Sequence, residues 1–288
     1  MISGEVALRI QEKFRLKKSR KATASGKTIA DFGAQWSHFS DPKDNFHSSP
    51  EILMDTVGGL FDLESLKSQT VLEIGSGSGR VLEILRHFNP RMIVGVEPSA
   101  SAEVLVSRFA SDPAIRIIAA DGAEPLDIRF NTAFIIGVLH HIPQPIPVLR
   151  NVRNSLVPGG TLLVWVYGRE GRSRWAVAVL QAMRIVTIRL PDQVVIRISE
   201  LCASMIRFYG KLALRLGSAH LPLRDYLEMI FLKCSREKQV EIVFDQLNPR
   251  YARYYSAREL REELASAGFS AIEISPRHNY SLSARATR

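Results

Sequence analysis

The sequence predicts an α/β fold built on a mostly parallel sheet with helices on both faces. Three observations carry this. Strand-like and helix-like stretches alternate from about residue 70 to residue 168. Two of the strand-like stretches, IRIIAA at 115–120 and TLLVWV at 161–166, are almost continuously apolar, as strands buried on both faces are. The first strand-like stretch, TVLEI, runs straight into GSGSGR, three glycines at alternate positions with helical sequence behind them.

The elements follow in order. Residues 5–18 read as a basic helix and KATASGKT as a loose linker. Helical sequence over 51–60 leads into TVLEI, the first strand. SGRVLEILRHF is a helix stopped by Asn89-Pro90. RMIVGVE is a strand, SASAEVLVSRFA a helix, AIRIIAA and FNTAFIIGV strands. PIPVLRNVRNSL is a helix closed by the turn VPGG, and TLLVWVYG is the fifth strand. Residues 170–247 break the rhythm and read as helices only. SARELREELASAG is an amphipathic helix ended by Gly268. FSAIEIS and NYSLSARAT read as a strand pair joined at Pro276. The expected organisation is a basic arm and lid segment at 1–44, a core at 45–168, a helical insertion at 169–249, and the rest of the core at 250–288.

Composition excludes several classes. The 288 residues are 46% hydrophobic, enough for a large buried core. Cys202 and Cys234 lie far apart, with no metal-type or disulfide spacing, which fits a reducing, cytoplasmic compartment. The first residues carry Glu5 and Glu12 without an apolar run, unlike a secretory signal, and acids disfavour a mitochondrial one. The best candidate for a membrane span, 175–183, stops at Arg184, well short of the length needed. Net charge is +9, with +6 in residues 1–27 and +7 in 169–224, so the remainder is mildly acidic. Basicity gathered into two segments suits an anionic partner.

Glycines between a strand and a helix let backbone amides approach a ligand with no side chain between. Two ligand classes compete. A dinucleotide fingerprint would place a third glycine at position 80, where Arg80 stands. The spacing present is Glu73-x-Gly75-Ser76-Gly77-x-Gly79. It resembles the first motif of the class I S-adenosylmethionine (SAM)-dependent methyltransferases. VGVEPS, with Glu97 and Pro98 after the second strand, resembles that family's ribose-binding motif. AADGAEPL, with Asp121 and Gly122, resembles its adenine-reading motif, and FIIGVLHHIPQP, with Gly137 and Val138, its fourth-strand motif beside the sulfonium. LRNVRNSLVPGGTLLVWV follows in the family's order.

The resemblance implies a Rossmann-like seven-stranded sheet, mostly parallel, with a C-terminal antiparallel hairpin and a helical insertion after the fifth strand. It implies SAM as cofactor, S-adenosyl-L-homocysteine as product, and Glu73 facing the methionyl ammonium. The overall look resembles the ubiquinone/menaquinone-biosynthesis-like and secondary-metabolite branches, so the expected acceptor is a small or lipid-linked molecule, with the acceptor atom open. Two alternatives stand beside it. One is an RNA methyltransferase using the basic arm on phosphates; the sequence carries no recognisable RNA-binding module and no Asn/Asp-Pro-Pro-aromatic motif. The other is a SAM-binding scaffold without turnover.

Candidates for the chemistry follow from position. His140 is the expected base or substrate contact, since imidazole titrates near neutrality; His141 is expected to hold backbone. Asp31-Phe32-Gly33-Ala34-Gln35-Trp36 resembles a lid segment, with Trp36 over the cofactor or substrate. Arg253, able to bind a carboxylate or phosphate, and Tyr254 enter from the insertion. His38 and His47 show no ligand-type spacing, so no metal is expected.

Residues 194–216 form an amphipathic helix by spacing. Val194, Ile198, Leu201, Met205, Tyr209, Leu212 and Leu216 share one arc; Arg197, Arg207, Lys211 and Arg215 share the opposite one. The first expectation is a lid helix with its apolar face on the core; the second is peripheral contact with an anionic membrane.

Overall fold

The computed structural model describes residues 26, 28–30, 32–33, 44–170, 174–217 and 221–288. Trp36, His38 and the basic helix expected at 5–18 lie outside them. Seven strands form one sheet in the order β3-β2-β1-β4-β5-β7-β6. They are β1 Thr70–Ile74, β2 Met92–Val96, β3 Ile115–Ile118, β4 Phe130–Ile136, β5 Leu156–Tyr167, β6 Ser270–Arg277 and β7 Ser281–Thr287. The first five run parallel, and β7 is antiparallel to both β5 and β6.

Two apolar layers cover the sheet. On one face lie α1 (Pro50–Val57), α2 (Arg80–Arg86) and α3 (Ser101–Arg108), burying Leu53, Leu82, Leu85 and Leu105 among others. On the other lie α4 (Pro145–Ser155) and α9 (Ala257–Ser266), burying Leu149, Val152, Leu260 and Leu264. Every residue of β1 is buried, which is why its sequence does not alternate. The α9 N-terminus is fixed by a capping box between Ser256 and Glu259.

The insertion consists of α5 (Arg174–Thr187), α6 (Asp192–Arg215), α7 (Arg224–Met229) and α8 (Arg236–Leu247). It has its own core, built on Val195, Ala203, Phe231, Val243 and Phe244. Arg184, buried in α5, ties it to the sheet: its guanidinium donates to the carbonyls of Gln246 and Ala252 and to the Tyr254 hydroxyl.

Three expectations need correction. The VPGG turn is drawn into the start of β5, where a register shift lets Leu156 pair with Phe130. Pro276 sits inside β6 opposite Leu282, and the chain reverses at His278-Asn279, both left-handed (φ 48° and 53°). Proline is accommodated because β6 is an edge strand and needs no donor on its outer side. Of the seven apolar α6 residues expected on the core, Val194, Leu201, Met205, Leu212 and Leu216 point to solvent, while Ile198 and Tyr209 are partly buried against the insertion's own core. The fully buried positions are mainly small: Val195, Ser199, Ala203, Gly210 and Ala213.

Candidate functional site

The carboxyl ends of β1, β2 and β4 bound two adjoining cavities that share Phe32, Gly75, Gly77, Gly137 and Val138. The smaller, about 120 Å³, is lined by Glu97, Pro98, Asp121, Gly122, His141 and Val148 among others. The larger, about 210 Å³, opens under the insertion. An open α/β sheet binds ligands at this edge, where crossovers leave in opposite directions.

The glycine loop is shaped by steric need. Gly75 has φ 75°, and a Cβ there would meet the Val138 methyls at 2.5 and 2.7 Å. Gly79, φ 87°, stands directly before α2, and a Cβ there would meet Leu105 at 2.7 Å. Glu97 holds the loop from β2: its carboxylate accepts from the Gly77 amide at 2.8 Å and the Ser99 amide at 2.9 Å. The Asp121 loop is pinned by Asn151 of α4, whose amide donates to the carbonyls of Gly122 (2.8 Å) and Glu124 (2.6 Å).

Glu73 is buried at the wall of the larger cavity. Burial pushes its carboxyl up to about 8, against the pull of the Ser76 hydroxyl and the Arg80 cation. Its Oε2 has no hydrogen-bond partner. A buried carboxylate oxygen without a donor is costly. An ammonium group in the cavity would supply the donor and the countercharge. This acceptor therefore fits the ammonium at the methionyl end of SAM, and Glu97 and Asp121 line the adjoining cavity.

The larger cavity is walled by Trp165 and Tyr167 from β5, Tyr226 from α7 and Tyr280 before β7. Tyr226 and Tyr280 stack at 4.4 Å. From α8 come Lys238, Glu241, Ile242, Asp245 and Gln246, one helical face turned inward. Lys238 donates to Glu241 at 2.6 Å within this buried face. The Tyr167 hydroxyl donates to Asp245. Burial and then the Asp245 charge hold the Tyr167 phenol well above its ordinary value, so it stays protonated.

His140 is not brought to either cavity. It is completely buried behind Tyr167, ring centroids 3.9 Å apart, with both ring nitrogens unpartnered. Burial holds it neutral, well below the usual imidazole range. The position expected for it at the wall is taken by the Tyr167 ring. His141 lines the smaller cavity; its Nδ1 lies 3.0 Å from the Tyr251 carbonyl oxygen, and Phe32 meets it edge-on at 4.7 Å.

Arg253 points elsewhere. It is ion-paired to Glu263 and Glu259 and lies over the Tyr255 ring, so its charge is answered within the fold. Tyr254 stacks behind Tyr167 at 5.6 Å and donates to Gln246, one layer from the cavity. Sequence reasoning missed Tyr167 and Asp245. Tyr167 carried a signal, being the residue at the carboxyl end of a buried parallel strand. Asp245 carried none, since a polar residue in FDQLNP reads as solvated. Among the described residues no group of His, Cys, Asp and Glu is arranged to hold a metal.

A family model described as a methyltransferase domain matches residues 47–274. Among curated proteins, the chain is 30% identical over 104 residues to a tRNA U34 carboxymethyltransferase of Nautilia profundicola, covering 35% of each chain. It is 33% identical over 114 residues to the enzyme of that name from Pseudoalteromonas atlantica, covering 38% of this chain and 35% of the relative. The chain thus matches about a third of the length of these relatives. Among solved structures, a candidate O-methyltransferase from Nostoc punctiforme superposes with a TM-score of 0.50 at 14% identity, covering 89% of this chain and 60% of that one. The 1,6-didemethyltoxoflavin N1-methyltransferase of Burkholderia thailandensis, solved with S-adenosylhomocysteine, gives 0.49 at 16% identity, covering 94% and 92%.

Proposed function

As this chain belongs to the methyltransferase-domain family, with the class I SAM-dependent fold, we propose that it transfers a methyl group from SAM to an acceptor held in the larger cavity. The observation that carries this reading is Glu73, a buried carboxyl with an unpartnered oxygen beside the glycine loop. Bound SAM supplies a methyl group already activated on a sulfonium, so the protein's task is orientation and a dry pocket. Glu73 takes the ammonium, and Glu97 and Asp121 the ribose and adenine. Trp165, Tyr167 and Tyr280 wall the acceptor. Asp245 accepts the proton when the acceptor must lose one, and the Tyr167 hydroxyl fixes that carboxylate in place.

The acceptor we favour is small or lipid-linked. The cavity is about 210 Å³ and roofed by α7 and α8, room for one ring or a short polar group. A second reading, a tRNA acceptor, is supported by the names of the curated relatives. A base flipped out of its stack would enter the same cavity, and the basic segments would follow phosphates. Purified protein incubated with methyl-labelled SAM and fractionated cell extract separates the readings. Label in a small-molecule or lipid fraction supports the first, and label in RNA the second. SAM binding with no label in any fraction would leave a scaffold and overturn both.

A further inference from the structure

The insertion carries an inverted helix. Around α6, the buried positions Val195, Ser199, Ala203, Gly210 and Ala213 centre on one side. Gly210 is tightly approached: a Cβ there would meet Leu232 at 3.3 Å and Leu227 at 3.5 Å. The opposite side carries Val194, Leu201, Met205, Phe208, Leu212 and Leu216, all exposed, Phe208 to 72% and Leu216 to 66%. At 100° per residue these six fall within about 80° of one another. The helix therefore buries its small side chains most deeply, packs Ile196, Ile198, Ile206 and Tyr209 at the margin, and presents these six large ones to solvent. The hairpin partner α5 does likewise with Trp175, Val179, Ile185 and Val186. Both helices pack on α8, whose other face lines the cavity.

Scattered exposed apolar residues are ordinary, but a continuous ridge along six turns is not. Its charge says what covers it. Lys211, Arg197 and Arg215 are exposed along one edge of the ridge. Residues 174–217 hold seven Lys/Arg against Asp192 and Glu200. A second copy docked face to face would set these cationic edges against each other. The basic segment at 1–27 would meet the same repulsion. An apolar ridge with a cationic edge complements a surface that is apolar inside and anionic at its rim.

We propose that α6, with α5 beside it, is an interfacial docking face for an anionic lipid bilayer. The ridge of Leu201, Met205, Phe208, Leu212 and Leu216 lies in the headgroup boundary, and Arg197, Lys211 and Arg215 meet lipid phosphates. Among the described residues no helix is long and apolar enough to cross a membrane, so the helix lies on the surface. The proposal does not depend on which acceptor is methylated; a lipid-linked one would be delivered at this face.

The test uses the full chain and co-sedimentation with vesicles of phosphatidylcholine alone or mixed with phosphatidylglycerol, at low and high salt. Two variants are compared: Leu201→Ser with Phe208→Ser and Leu212→Ser, and Arg197→Glu with Lys211→Glu and Arg215→Glu. Circular dichroism and SAM affinity, read by calorimetry, report that each folds. All six side chains are exposed, so both readouts are expected to be unchanged. The expected result is binding to mixed vesicles that high salt weakens at least tenfold and that either variant reduces at least tenfold. Absence of binding at low salt overturns the proposal, as does binding that neither variant changes. So does a dimer, seen by sedimentation without vesicles, that the serine variant abolishes. Transfer RNA binding lost in the glutamate variant but kept in the serine variant overturns it in favour of a nucleic-acid surface. SAM affinity lost in the wild type itself would count against the methyltransferase reading and leave the vesicle result standing.

Discussion

The hydroxyl of Tyr167 donates to the carboxylate of Asp245, joining the last residue of β5 to the inner face of α8. One partner belongs to the sheet and the other to the insertion, so the bond exists only when the insertion is seated over the cavity. Both residues line that cavity.

Asp245→Asn removes the proton acceptor and keeps the shape. Turnover is expected to fall about 10²-fold for an acceptor that must lose a proton. Tyr167→Phe leaves Asp245 less well oriented and is expected to lower kcat less, with SAM affinity within a few fold in both. Unchanged kcat in Asp245→Asn, measured with the substrate found by labelling, would remove it from the role.

Glu73 couples SAM binding to pH. In the free protein its carboxyl sits at about 8, so at neutral pH it is mostly protonated. Burial has raised it above its unfolded value. The fold therefore binds a proton that the unfolded chain does not, and this contribution to stability is lost as pH rises from about 4.5 to about 8. SAM binding at neutral pH is expected to release a proton, and affinity to rise as pH approaches 8. Calorimetry in buffers of different ionisation enthalpy measures the proton directly. Glu73→Gln should abolish the release and weaken binding at least tenfold.

Gly75→Ala meets two obstacles. The left-handed backbone costs about 1–2 kcal/mol for a residue with a Cβ, and the new methyl meets Val138 at 2.5 Å. Thermal unfolding is expected to drop by several degrees and SAM affinity to fall. Adding Val138→Ala relieves the contact and leaves the backbone strain, so rescue should be partial. No recovery in the double variant would show that the contact is not the cause.

His140 contributes to the loss of stability in acid. Burial holds it neutral in the fold, well below its ordinary value. Below about pH 6.5 the unfolded chain takes a proton that the folded one does not, so stability falls as pH drops. His141 and His47 are shifted the same way. His140→Phe, which keeps the ring packed on Tyr167 and removes two unpartnered nitrogens, is expected to flatten this loss and to leave SAM affinity unchanged. Urea midpoints on either side of pH 6.5 provide the measurement.

The end of the site proposed for the cofactor was legible because it is local. Glu73, Gly75, Gly77 and Gly79 fall within one strand-to-helix turn, and Glu97 and Asp121 follow β2 and β3 closely. The acceptor end was not, because it is assembled from distant segments. Asp245 and Tyr280 reach Tyr167 only through the tertiary fold. The α8 sequence REKQVEIVFDQL also inverts the usual reading: its polar side faces the cavity, where Glu241 and Gln246 are almost fully buried. The same reversal misled the reading of α6, where five of the seven apolar residues expected on the core face out. Spacing gave both helices and their two faces. It did not give which face turns inward, because that depends on what each helix packs against.

The antiparallel strand β7 joins β5 only after the insertion and α9 have been made, since Tyr167 pairs with Ser281 more than a hundred positions later. During synthesis β5 thus emerges with one side unpaired, and it is a long, largely buried strand. An open edge of that kind is a template for another nascent chain. Four helices with a core of their own stand between the two partners. Their collapse shortens the effective tether before β7 arrives. Loosening the insertion's core is therefore expected to show first as aggregation during synthesis, ahead of any change in the finished site.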